Sequence, residues 1–182
     1  MKKLIVTAMI AMLGIVVNAA SVEWSAYPIC DMGTTTPNAS YLVYFFDSAD
    51  LSTSAVATKL EAGDTSFVTS GYESYGGDSG FFMGAGSDSY GNGVTITGYL
   101  VVFNAATLPD ATYAFVSGTE SGTTGASGQA AAISFEDAAL SGMSVASNWT
   151  SLSGAEPIPE PTSGLLLVVG GALLALRRRR LA

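Results

Sequence analysis

Val94-Thr95-Ile96-Thr97-Gly98-Tyr99-Leu100-Val101-Val102-Phe103 is the stretch on which the fold turns. It is rich in β-branched and aromatic residues, which fit a pleated, half-buried surface better than a helix. Asn92-Gly93 stands ahead of it as a turn. Working outward, Tyr41–Phe46 (YLVYFF), Thr112–Val116 (TYAFV) and Ala131–Phe135 (AAISF) have the same character, and Pro109-Asp110 marks a turn between two of the runs. Shorter strand signals cover Ser21–Ala26, Ser66–Tyr72 and Val145–Leu152. This spacing predicts a mainly β fold, a small antiparallel β-sandwich or jelly-roll-like domain. One short helix is expected at Thr53–Ala62, capped by Asp50 or Ser52 and stopped by Gly63, with Leu51, Val56 and Leu60 facing the sheet. A second helical signal at Phe135–Leu140 is shorter. Ser70–Gly93 reads as a Gly/Ser/Tyr-rich loop anchored by Phe81-Phe82-Met83.

The 182 residues allow one domain of ordinary size. The chain has no histidine and one cysteine. That excludes Ser-His-Asp and Cys-His catalysis, imidazole zinc sites and an internal disulfide. Residues 20–161 contain all 15 acids and a single cation, Lys59. So acidic a body does not bind nucleic acid through its phosphates. The other six cations flank two apolar segments at the chain ends: Lys2 and Lys3, and Arg177, Arg178, Arg179 and Arg180.

Lys2-Lys3, the apolar run Leu4–Val17 and the small residues Ala19 and Ala20 have the layout of a secretory signal peptide, residues 1–19. Cleavage is expected after Ala19, with Ala20 as second choice. The alternative, a retained anchor, is disfavoured because about 14 apolar residues fall short of the roughly 20 a span needs. Cys30 lies well beyond this segment, so it is not a lipid-attachment site, and it reads as a small buried side chain.

Residues 157–182 form a second address. Pro159, Glu160 and Pro161 precede the apolar run Gly164–Leu176, and Arg177–Arg180 close it. The two prolines remove backbone donors and keep the motif extended. The apolar run would rise about 20 Å as a helix against roughly 30 Å of hydrocarbon, a gap that snorkelling arginines narrow. The arginines should stay cytoplasmic, leaving the acidic body outside. This tail resembles the PEP-CTERM sorting signal of exported bacterial proteins. The resemblance covers the last 24 residues or so and implies recognition and removal of the tail by a membrane-embedded exosortase. It also implies association with bacteria that make extracellular polysaccharide. Leu181 and Ala182 beyond the arginines, and the Gly170-Gly171 pair, depart from the family pattern.

The acidic body, residues 20–156, is rich in Ser, Thr and Gly and carries several local patterns. Gly77-Asp78-Ser79-Gly80 spells a serine-protease tetrapeptide but has no histidine base to serve it. Asp78-Ser79-Gly80 has no second copy to make an aspartic-protease dyad. Asp78, Asp88 and Asn92 are weak calcium candidates, because calcium takes carboxylate and carbonyl oxygens. A glycosidase needs only two carboxylates, and nothing selects a pair among the 15 acids. Trp24, Tyr72, Tyr75, Tyr90 and Trp149 suit either sugar stacking or the core of a sandwich. Asn38-Ala39-Ser40 and Asn148-Trp149-Thr150 fit the glycosylation sequon.

These readings predict an exported, non-enzymatic envelope or matrix protein without a cofactor. It would leave the cytoplasm through the Sec machinery, stay anchored in the inner membrane as a precursor and reach the cell surface or medium after tail processing. The competing expectation is a secreted carbohydrate-binding module or a carboxylate-based hydrolase, with extracellular polysaccharide as the partner.

Overall fold

The computed structural model describes residues 20–74 and 76–152. The chain separates into one unit ending at Leu152 and another beginning at Ser153. The expected signal peptide, residues 1–19, and the expected sorting tail, residues 157–182, lie outside the described residues.

The described chain is mainly β. One sheet has the order β4 (Gly76–Asp78), β5 (Phe81–Tyr90), β1 (Ala20–Ala26) and β9 (Ala131–Phe135). The other runs β10 (Thr150–Ser151), β7 (Tyr113–Val116), β6 (Thr95–Phe103), β2 (Leu42–Asp47) and β3 (Tyr72–Glu73), with β8 (Glu120–Thr123) also on β6. Pairing is antiparallel except between β1 and β9, which run parallel with Trp24 opposite Ile133. That departs from the wholly antiparallel expectation. The two strands are about 100 residues apart along the chain, and a connection that long leaves their relative direction free.

The sheets share one core. Val22, Trp24 and Ala26 of β1, Phe82 of β5, and Ile133 and Phe135 of β9 pack with Val43 and Phe45 of β2, Leu100 and Val102 of β6 and Phe115 of β7. The opposite face of the six-stranded sheet is buried as well, because Phe46, Tyr99, Val101 and Phe103 meet Val56, Leu60, Phe67 and Val68. Strand β6 therefore lies between two apolar layers. Its run from Tyr99 to Phe103 is buried at every position, so it shows no polar alternation.

The covering helix α1 (Thr53–Glu61) starts at Ser52, whose hydroxyl accepts from the N–H of Ala55 at 3.3 Å. It ends as glycine permits: Gly63 takes φ +68°, its N–H reaches the Leu60 carbonyl, and that of Asp64 reaches Lys59. This paired C-terminal closure satisfies two carbonyls the helix cannot. A second helix, α2 (Asp137–Leu140), joins the one expected helix and falls on the shorter helical signal at Phe135–Leu140. It is a single turn after β9 that buries Ala139 and Leu140 in the shared core. At Ser66–Ser70 the expected strand is a 3-10 turn, because adjacent Phe67 and Val68 both bury in the same apolar layer, whereas successive strand side chains point to opposite faces.

The largest departure is β5, read from sequence as a loop. Its inward positions are Phe82, Gly84 and Gly86. A Cβ on Gly84 would stand 2.5–2.6 Å from the Trp24 indole, and one on Gly86 would be 2.7 Å from the Tyr72 ring. In β6, Gly98 makes the same room for Phe45. Trp24 stacks on Phe45 with centroids 6.3 Å apart, and Phe45 on Tyr72 at 6.4 Å. The strands' missing side chains are thus replaced by aromatic rings from neighbouring strands.

Candidate functional site

The outer face of the four-stranded sheet is built by alternation. Because Val22, Trp24 and Ala26 point inward, Glu23, Ser25 and Tyr27 point outward. Strand register places Met83 beside Ser25 on one side and Ser134 on the other, with Ala85 and Ala132 flanking Glu23. Tyr27 and Phe81 extend this ladder at the end of β1. Tyr27 is 53% exposed, Phe81 38% and Met83 37%. A water-facing antiparallel surface is ordinarily polar, so these three side chains are out of pattern. Beside them runs a groove of about 280 Å³ lined by Glu23, Ser25, Met83, Ala132 and Ser134. Chemically the face offers aromatic and thioether surface, hydroxyls and one central carboxylate. Sequence reading missed it because β5 was not recognised. The one available signal was Phe81 and Met83 at a spacing of two.

A second cleft of about 380 Å³ lies where the loop after β1 meets α2. Pro28, Cys30, Leu140 and Met143 line it together with the hydroxyls of Thr34, Ser141 and Ser144. Cys30 is a buried free thiol. Burial, then the charges of Asp31 and Asp137, pushes its ionisation up, so it remains a protonated, weakly nucleophilic group.

The calcium candidates do not converge. Asp78 pairs with Phe81 at one end of β5, and Asp88 stands seven residues further along that strand, about 23 Å away. Asp88 meets the Tyr72 hydroxyl instead, and the Asn92 carboxamide oxygen accepts from the N–H of Gly128. Among the described residues no group of three ligating side chains is placed to hold a metal. Asp88 belongs to a different grouping, in which the Tyr90 hydroxyl donates to Asp47 at 3.2 Å. Burial first, and these carboxylates second, push Tyr72 up to about 12 and raise Tyr90 further.

The protease-like tetrapeptide is a hairpin corner. Ser79 at φ +49° and Gly80 at φ +83° form the two-residue turn between β4 and β5. Trp24 and Trp149 are 3% and 6% exposed, so neither is available to stack on a sugar. The Trp149 indole donates to the Met143 carbonyl at 2.9 Å. Tyr72 and Tyr90 pack half-buried against the same core, and Tyr75 lies outside the described residues. In the sequons, Asn38 is held by Asp31 and Asn148 by the Gly142 carbonyl. Ala20 opens β1, buried opposite Tyr90. Ala19, Pro159, Glu160, Pro161 and the arginines 177–180 lie outside the described residues. The chain matches no protein-family model, no curated protein and no solved structure.

Proposed function

We propose that this is an exported bacterial surface or matrix protein, a β-sandwich body delivered by one terminal address and sorted by the other. The shared core between two sheets supports the sandwich; the parallel β1–β9 pair argues against a jelly roll. The reading rests first on the tail, where Pro159-Glu160-Pro161, the apolar run Gly164–Leu176 and Arg177–Arg180 follow in order. In this reading an exosortase-type membrane enzyme recognises that motif, while the arginines hold the precursor with its body outside the cytoplasm.

The observation that carries the reading further is how the body meets its two ends. Ala20 is 1% exposed and pairs with Tyr90. Cleavage after Ala19 keeps β1 whole, whereas cleavage after Ala20 would strip a paired, buried residue. At the other end Leu152 donates its N–H to the Thr112 carbonyl, five residues ahead of Pro157. Both addresses can therefore be removed without cutting a described strand.

The test replaces Pro159, Glu160 and Pro161 with alanine in a host that carries a matching exosortase. Export should continue, because the N-terminal signal is separate, and full-length protein should collect in the inner membrane. Normal release of the variant would overturn the sorting reading.

A further inference from the structure

The outer face of the four-stranded sheet combines two features that point to one kind of partner. Tyr27, Phe81 and Met83 expose apolar side chains on this sheet, and Glu23 stands on the same face four residues, about 13 Å, from Tyr27 along the extended chain. Ser25 and Ser134 supply hydroxyls between them. The described residues as a whole carry 13 acids against one lysine, and that lysine is bound to Asp64 at 2.9 Å. Such a body repels polyanions and draws polycations at long range. A partner that complements both the rings and the charge needs apolar C–H faces, hydroxyls and positive charge on one extended chain.

We propose that this face binds a polysaccharide of amino sugars bearing free ammonium groups, laid along β1. The rings of Tyr27 and Phe81 stack on sugar C–H faces, where an adjacent ammonium adds cation–π attraction. Glu23 accepts hydrogen bonds from a sugar ammonium, and Ser25 and Ser134 pair with hydroxyls. The assignment rests on the face itself and holds whether or not the tail is processed.

Calorimetry on the full chain in neutral detergent tests it. The probes are a glucosamine oligosaccharide, its fully N-acetylated counterpart, and a lysine peptide of equal charge. The glucosamine oligosaccharide should bind more tightly than either of the others. Tyr27→Ala and Phe81→Ser should each weaken it about tenfold, the order expected of a lost stacked ring, and leave the lysine peptide unaffected. Glu23→Gln should narrow the gap between the amino and acetylated probes. All three side chains are exposed, so unchanged thermal midpoints will show that the variants are folded. No binding of the glucosamine probe, or wild-type affinity in both ring variants, would overturn the proposal, as bulk charge alone would explain the latter. Equal affinity for the acetylated probe would also overturn it, replacing the partner with a neutral glycan. Equal losses with the lysine peptide would mean a basic-peptide site instead.

Discussion

Gly84→Ala is the sharpest probe of the packing between the sheets. A methyl at this position would stand 2.5 Å from Cε2 and 2.6 Å from Cζ2 and Nε1 of Trp24. Comfortable contact between such atoms is about 3.5–4.0 Å, so the indole must retreat by roughly 1 Å. It has little room to do so. Its ring stacks on Phe45, which stacks on Tyr72 and meets Phe135 edge-on at 6.2 Å. Forced overpacking of this kind costs about 1–3 kcal/mol, and the lost backbone freedom of the unfolded glycine returns about 0.4–1 kcal/mol. The expected net loss is about 1–2 kcal/mol, a fall of roughly 4–8 °C in midpoint for a domain of this size. The control is Gly91→Ala, whose new methyl would find only Val94 at an ordinary 3.5 Å. Thermal unfolding followed by near-ultraviolet circular dichroism measures both variants. A double-mutant cycle with Trp24→Phe localises the effect, since the smaller ring lacks atoms the methyl strikes, and the cost of Gly84→Ala should shrink in that background. Equal midpoints for Gly84→Ala and Gly91→Ala would refute the ring-over-glycine account.

Three further outcomes follow from other contacts. Ser117→Ala should cost about 1–3 kcal/mol in urea unfolding, because the Ser117 hydroxyl accepts from the buried N–H of Leu100 at 2.8 Å, whereas Ser134→Ala on the exposed face should stay within about 0.5 kcal/mol. Burial, then the hydrogen bond to Glu73, pushes Tyr44 up to about 12, and Tyr72 stands as high. Folding therefore favours the neutral phenols, so stability should hold below about pH 10 and fall as pH rises toward 12; phenolate absorbance from these two residues near pH 10 would contradict the assignment. Asp64 is held below the ordinary carboxylate range by hydrogen bonds from Ser66 and then from Lys59, so its contribution is present above about pH 4 and lost as pH falls. In Lys59→Met an NMR titration should find Asp64 still depressed, though less than in the wild type.

Much of the fold was legible because its strongest runs answer to local rules. Strand β6 and its partner β2 are dense in β-branched and aromatic residues, and α1 carries both a serine cap and a stopping glycine. Strand β5 was not legible. Its inward alternation is Phe82, Gly84, Gly86, and the rings that complete it come from Trp24, about 60 residues earlier, and Tyr72 on another sheet. No window along the chain contains that complementarity. The outer face shares the same origin: Tyr27 joins Phe81 and Met83 only once β1 and β5 are paired. The calcium grouping failed for the converse reason. Asp78 and Asp88 are close in sequence, but an extended strand carries them apart.

The central claim is that a self-contained β body lies between two removable addresses. Intact-mass measurement of the mature protein, isolated from a host with the matching exosortase, tests it directly. The account predicts a chain that begins at Ala20 and ends near Pro159-Glu160-Pro161, with the Gly164–Leu176 run and the four arginines gone. A mature chain that still carries Leu181-Ala182, or one that begins inside β1, would contradict it.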